Sequence, residues 1–144
     1  MNGPLPGAPS LPGVRGVGVD LCDVDRMRRS LERTPGLRLR VFTEDERAYC
    51  DARRDPAERY AARFAAKEAV LKALRVGLGA CPLRDIEVAR SVDGAPSVVL
   101  HGAAAELAAD RGVARWHLSL THTAHVAGAV VVAVGDDSTS RSGA

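Results

Sequence analysis

Apolar and polar positions along the chain fall into a short series of patterns. Val14 to Leu21 alternates with period two: Val17, Val19 and Leu21 point one way, Gly16, Gly18 and Asp20 the other, which predicts a strand. Asp23 to Glu32 reads as a helix, with Asp23 as N-cap and Pro35-Gly36 as its stop. Thr43 with Glu46 three residues on forms a capping box behind Phe42, opening a helix that runs to about Cys50. The strongest helical signal is Glu58 to Leu74, which lacks Gly and Pro and is rich in Ala, Leu, Arg, Lys and Glu. Tyr60, Phe64, Leu71 and Leu74 form one apolar stripe on it, and Gly77 and Gly79 are expected to end it. Ile86–Arg90 and Ser97–His101 flank Asp93-Gly94 as a hairpin. A small Ala-rich helix over Ala103–Ala109 stops near Gly112. Trp116 to His122 alternates again, and Val126 to Val134 is a continuous run of small apolar residues, expected to be a fully buried strand.

Composition narrows the classes. With 144 residues the chain is expected to form one domain over residues 14–135, large enough to bury about two-thirds of its unfolded surface. Residues 1–13 and 136–144, rich in Gly, Pro, Ala, Ser and Asp, are expected to be a disordered arm and tail. Five aromatic residues are too few for a base-stacking platform, and a net charge of +2 does not make nucleic acid the default partner. Three scattered cysteines, Cys22, Cys50 and Cys81, fit a reducing compartment. No secretory pattern opens the chain and no apolar run approaches the ~18 residues that span a bilayer, so the expectation is a cytoplasmic protein away from membranes.

Candidate chemistry sits on the first strand, the central helix and the late strand. Asp20 follows two glycines that clear space beside it, in a pattern that is neither a Rossmann fingerprint nor a Walker A loop. Taken alone it is more often a helix cap than a ligand. On the central helix, Glu68 and Lys72 share one flank, while Arg59, Arg63 and Lys67 run down another at i, i+4 spacing. The chain has eighteen arginines and two lysines, and both lysines are in this helix. His122 closes the apolar face of its strand. No Cys or third His has a spacing that would join His122 and His125 at zinc. Two hard carboxylates without a soft ligand suit Mg²⁺, and Arg63, Lys67 and Lys72 suit a phosphate or pyrophosphate. Arg26, Arg28, Arg29 and Arg33, followed by Arg38 and Arg40, form a lopsided basic run. Such a run is usually a solvated face; its functional version docks an acidic partner. The residues alone therefore leave two classes open: a Mg²⁺-dependent enzyme acting on a phosphorylated small molecule, and a non-catalytic basic adaptor that binds an acidic protein through Arg26–Arg40.

The motifs together resemble the holo-acyl-carrier-protein synthases, the short single-domain 4′-phosphopantetheinyl transferases. The resemblance rests on Gly16-Val17-Gly18-Val19-Asp20, Arg26, Phe42-Thr43-x-x-Glu46, and Ala62-Arg63-Phe64-Ala65-Ala66-Lys67-Glu68-Ala69 with Lys72. Asp85-Ile86-Glu87-Val88, Gly94-x-Pro96 and Ser119-Leu120-Thr121-His122 extend it over roughly residues 15–134. It implies an α+β fold, a mainly antiparallel sheet against a long central helix. It also implies transfer of phosphopantetheine from coenzyme A to a serine of an apo acyl carrier protein, with Mg²⁺ and release of 3′,5′-ADP. By the same resemblance Asp20 and Glu68 are metal ligands, and Lys72 meets the coenzyme A phosphates. Arg63, Thr121 and His122 are expected coenzyme A contacts, with His122 counted among the catalytic residues and supplied from a neighbouring subunit of a homotrimer, while Lys67 is expected either to contact coenzyme A or to extend across a subunit boundary. Arg26, Arg29 and Arg33 are the expected dock for the acidic carrier. Some relatives carry Asp where Thr123 stands, so no base role transfers to that position.

Overall fold

The computed structural model describes residues 13–136, so the arm and tail expected at the two ends lie almost wholly outside the described residues. The chain opens with β1 (Val14–Asp23), followed by α1 (Val24–Arg33), α2 (Leu37–Val41), α3 (Glu44–Asp51) and the central α4 (Pro56–Ala73). A 3₁₀ turn at Leu83–Asp85 leads into β2 (Ile86–Arg90) and β3 (Pro96–Leu100), then α5 (Gly102–Asp110), β4 (Val113–His122) and β5 (Val126–Gly135). All strand pairs are antiparallel, and they form two sheets rather than one: a three-stranded sheet ordered β1-β5-β4 and the β2-β3 hairpin. The fold is α+β, as the motifs imply. Among the described residues no helix is long and apolar enough to cross a membrane.

Local chemistry explains the element ends. Asp23 caps α1, its Oδ1 accepting from the Arg26 amide at 2.8 Å. The Thr43–Glu46 capping box opens α3 with both reciprocal bonds made. Pro56 occupies the first turn of α4, where a missing amide hydrogen is harmless. The helix stops before the glycines expected to end it. Arg75 takes a left-handed φ of 60°, the Arg75 amide donates to Lys72 O and the Val76 amide to Leu71 O, which makes a Schellman motif with arginine in the usual glycine position.

α4 is buried on nearly every side because alanine lines it. Ala61, Ala65, Ala66, Ala69 and Ala73 let the three-stranded sheet, the hairpin and α1 come close. β1 comes closest. A Cβ on Gly18 would lie 1.8 Å from Ala69 O, and one on Gly16 would lie 2.0 Å from Ala73 O. The inner face of β1 is therefore the glycine face, and its valines and leucine face out: Val17 is 55%, Val19 53% and Leu21 70% exposed. β5 departs from the fully buried strand expected of it for the same reason. Val126 and Val130 lie on this outer face and are exposed, while Ala127, Ala129, Val131 and Ala133 turn inward.

Candidate active site

The first constellation joins β1 to α4. The close approach at Gly16 and Gly18 brings Asp20 against the flank that carries Glu68 and Lys72. The Lys72 ammonium donates to Asp20 Oδ1 at 2.8 Å and to Val19 O at 3.2 Å. Asp20 thus acts as a partner within the site, and capping α1 falls to Asp23. Asp20 Oδ2 is buried with no hydrogen-bond partner. The Glu68 carboxyl is pushed up to about 7, first by burial and then by the Asp20 carboxylate beside it. The Lys72 ammonium is pushed up by its bond to Asp20. Cys22, two residues along the strand, is pushed up to about 11 by burial and then by Glu68 and Asp20, so its thiol stays neutral.

Those features test the site for Mg²⁺. An orphaned carboxylate oxygen beside a carboxyl that holds its proton to neutral pH is a place short of positive charge, and a hard divalent cation would supply it. Among the described residues no cluster of three or more metal-ligating side chains gathers, so the pair fits an ion that keeps waters and takes oxygens from a substrate.

The second constellation lies elsewhere on α4. Nine residues separate Arg63 from Lys72, which puts them about 180° apart around the helix. Arg63 is only 2% exposed and lines a cleft of about 340 Å³ with Tyr49, Arg59, Arg90, Ser119 and His122. Three guanidiniums gather on the Tyr49 ring: Arg53 at 4.1 Å, Arg63 at 4.2 Å and Arg90 at 4.6 Å from its centroid. Arg90 also donates to the Tyr49 hydroxyl. Arg63 Nε is buried without a hydrogen-bond partner. So much unneutralised positive charge at a cleft wall is a built anion site. His122 borders it and is exposed, with Nδ1 3.7 Å from Glu58 Oε2, although it closes the apolar face of its strand.

Two residues expected to contact coenzyme A lie outside both constellations. Lys67 is completely buried and cannot touch a ligand: its ammonium donates to Glu46 Oε1 at 2.8 Å, to Leu83 O at 3.1 Å and to Ile86 O, which uses its three hydrogens. Thr121 pairs with Gly128, whose partner on the far strand is Leu21, and lies on the exposed outer face of the sheet, turned away from α4. Thr123 serves the β4–β5 turn, its Oγ1 accepting from the His125 and Val126 amides. On α1, Arg26, Arg29 and Arg33 are exposed along one face. Arg28 is held by Asp25 and by Asp55 at 2.8 Å, and Arg38 lies over the Tyr60 ring, so the free basic surface is narrower than the run of arginines. Sequence reasoning gave no role to Tyr49, Arg90 or Glu58; they lie on α3, β2 and the start of α4, and nothing in their spacing signals that they meet.

Comparison with known proteins shows the family. The family model for the 4′-phosphopantetheinyl transferase superfamily matches residues 16–131. The chain is 49% identical over 115 residues to the holo-[acyl-carrier-protein] synthase of Moorella thermoacetica, covering 80% of this chain and 90% of that protein. Its fold superposes with a TM-score of 0.72 on the Helicobacter pylori holo-[acyl-carrier-protein] synthase solved in complex with coenzyme A, at 28% identity, over 81% of this chain and 98% of that one. The Bacillus anthracis holo-(acyl-carrier-protein) synthase, solved with CoA (3′,5′-ADP), gives a TM-score of 0.71 at 29% identity, over 86% and 99% of the two chains. With the match spanning both constellations, this chain belongs to the 4′-phosphopantetheinyl transferase superfamily and, within it, to the holo-acyl-carrier-protein synthases.

Proposed function

We propose that the protein moves the 4′-phosphopantetheine group of coenzyme A onto a serine of an apo acyl carrier protein, in the cytoplasm and with Mg²⁺. The observation that carries this reading is the Asp20–Glu68–Lys72 constellation: two carboxylates short of a cation, with an ammonium at their edge. In the reaction the serine oxygen bonds to the β-phosphorus of coenzyme A, the bridging P–O bond breaks, 3′,5′-ADP leaves, and the serine proton is lost. Mg²⁺ held by Asp20 and Glu68 would supply Lewis-acid charge to the pyrophosphate. Lys72, more than half exposed, is free to swing from Asp20 to a phosphate oxygen and carry charge that develops on the leaving group. Arg63 and His122 hold the nucleotide end, with Arg59 and Arg90 beside them.

Because the arginine cleft and the carboxylate pair face opposite sides of α4, one coenzyme A is proposed to bridge the carboxylates of one subunit and the cleft of its neighbour in a homotrimer. The exposed valines and leucine of the outer sheet face support that assembly, since such a patch is seldom left in water. The carrier, whose surface is acidic, docks on Arg26, Arg29 and Arg33 of α1.

Intact-mass measurement on a panel of apo carriers with coenzyme A tests the reading. The expected result is one phosphopantetheine added per carrier, abolished by EDTA and by folded Asp20→Ala or Glu68→Ala variants. A carrier mass unchanged across the panel refutes it. Carrier binding that persists in those variants without any modification by the wild type would favour the basic adaptor. Coenzyme A consumed in the absence of carrier would point to pyrophosphate hydrolysis.

A further inference from the structure

Lys67 is one of two lysines in the chain, sits in the family motif, and touches no solvent. A purely apolar core would have accepted Leu there at lower desolvation cost. What the charge accomplishes is visible in its partners. Glu46 Oε1 accepts from Lys67 at 2.8 Å and from the Thr43 amide at 2.9 Å, and Glu46 Oε2 accepts from the Val88 amide at 3.0 Å. Lys67 in turn donates to carbonyls at Leu83 and Ile86 on the approach to β2. One ion pair therefore fixes α3, α4 and β2 to one another by directional bonds, with Glu46 only 1% exposed.

Each of those elements carries a residue of the arginine cleft one short step away. Tyr49 is about one turn along α3 from Glu46, Arg63 about one turn along α4 from Lys67, and Arg90 two residues along β2 from Val88, hence on the same face of the strand. These three meet at the Tyr49 ring. Arg63 and Arg90 drawn onto one ring repel each other, and Arg53 adds a third positive charge there, so their arrangement needs an outside constraint. We propose that the buried Glu46–Lys67 pair is the positioning device for this cleft: it sets the register of α3, α4 and β2, so that Tyr49, Arg63 and Arg90 converge on the nucleotide of coenzyme A. The inference rests on the assignment of the cleft to that nucleotide. It makes Lys67 a positioning residue for coenzyme A binding, in place of the direct contact its motif suggested.

The probe is 3′,5′-ADP, titrated calorimetrically into the full-length protein. In a Glu46→Gln/Lys67→Met double variant, which removes both charges together, its dissociation constant is expected to rise about tenfold or more, the loss typical of a misplaced supporting shell. KM for coenzyme A rises with it, while KM for the carrier, which docks on α1, stays within about twofold. A second measurement on the wild type needs no variant to fold: saturating 3′,5′-ADP is expected to slow hydrogen exchange at the Val88 amide, since coupling between cleft and clamp is reciprocal. A folded double variant that binds 3′,5′-ADP like the wild type overturns the inference. So does an equal rise in both KM values, or Val88 exchange indifferent to bound 3′,5′-ADP. An Arg63→Ala variant that binds 3′,5′-ADP as tightly as the wild type would instead overturn the cleft assignment, and the inference with it.

Discussion

Gly18→Ala is the most discriminating single change at the carboxylate site. The added methyl carbon would sit 1.8 Å from Ala69 O, 2.8 Å from its carbonyl carbon and 3.0 Å from the Ala73 amide nitrogen. All three are backbone atoms of a helix buried on most sides, so the strand must give way. Restoring a separation of 3.0 Å to Ala69 O requires a retreat of about 1.2 Å if the whole shift falls on β1. Asp20 is two residues further along the strand and moves with it, while Glu68 and Lys72 stay on the helix. A constellation that holds a metal at ~2.1 Å and tolerates errors of ~0.5 Å does not survive that displacement intact. A misplacement of about 1 Å commonly costs ~100-fold in rate, equivalent to about 2.7 kcal/mol of transition-state stabilisation. Overpacking itself costs about 1–3 kcal/mol of stability. The assay is the initial rate of carrier modification across a Mg²⁺ titration, with thermal denaturation alongside. Gly36→Ala is the control: a Cβ there meets nothing within 4 Å, and its effect should stay within ~0.5 kcal/mol. A Gly18→Ala protein with wild-type rate and wild-type Mg²⁺ half-saturation would refute the role given to the strand–helix approach.

Two further outcomes follow from the charge at Asp20–Glu68 and from the outer sheet face. The Glu68 carboxyl is raised from 4.5 to about 7 in the folded, metal-free protein, so its protonated form favours folding. That contribution is full below about 4.5 and is lost as pH rises through about 7, and the same loss of the proton makes Mg²⁺ binding tighten over that interval. Chemical denaturation in EDTA should show stability declining over that window, a slope that Glu68→Gln abolishes, and a pH-independent Mg²⁺ half-saturation would contradict the assignment. On the outer face, Val19→Asp places a charge in the patch formed by Val17, Leu21 and Val130, and should yield monomers by sedimentation with loss of coenzyme A turnover. A trimeric Val19→Asp protein of normal activity would refute an interface on that face.

Much of the fold was legible because its signals are local. The Thr43–Glu46 box, the Asp23 cap and the alanine-rich run of α4 work through neighbours in sequence, and each formed where the pattern placed it. Asp20, Glu68 and Lys72 were legible as chemistry, since two carboxylates and an ammonium remain conspicuous residue types on apolar elements. That they meet depends on two glycines lying against a helix backbone, which alternation alone could not specify. Alternation also left open which face of β1 turns inward. The ordinary hydrophobic rule favours Val17, Val19 and Leu21, and the structure buries the glycine face because only that face lets strand and helix touch.

Lys67 separates the two kinds of knowledge most clearly. Its composition and spacing mark it as unusual, and the motif around it implies contact with coenzyme A. Burial against Glu46, Leu83 and Ile86 is a tertiary fact, fixed by three elements distant in sequence. The Tyr49 cleft is likewise absent from any local pattern, for Arg53 and Arg90 look in sequence like ordinary solvated arginines, and nothing local shows that Arg63 meets them on one ring. The sequence by itself determined the strands, every helix but the short α2, the family and the residue types that can hold a cation. Tertiary structure alone decided which charges are buried, which face the same cleft, and which side of α4 each occupies, because these depend on long-range contacts that no local period encodes.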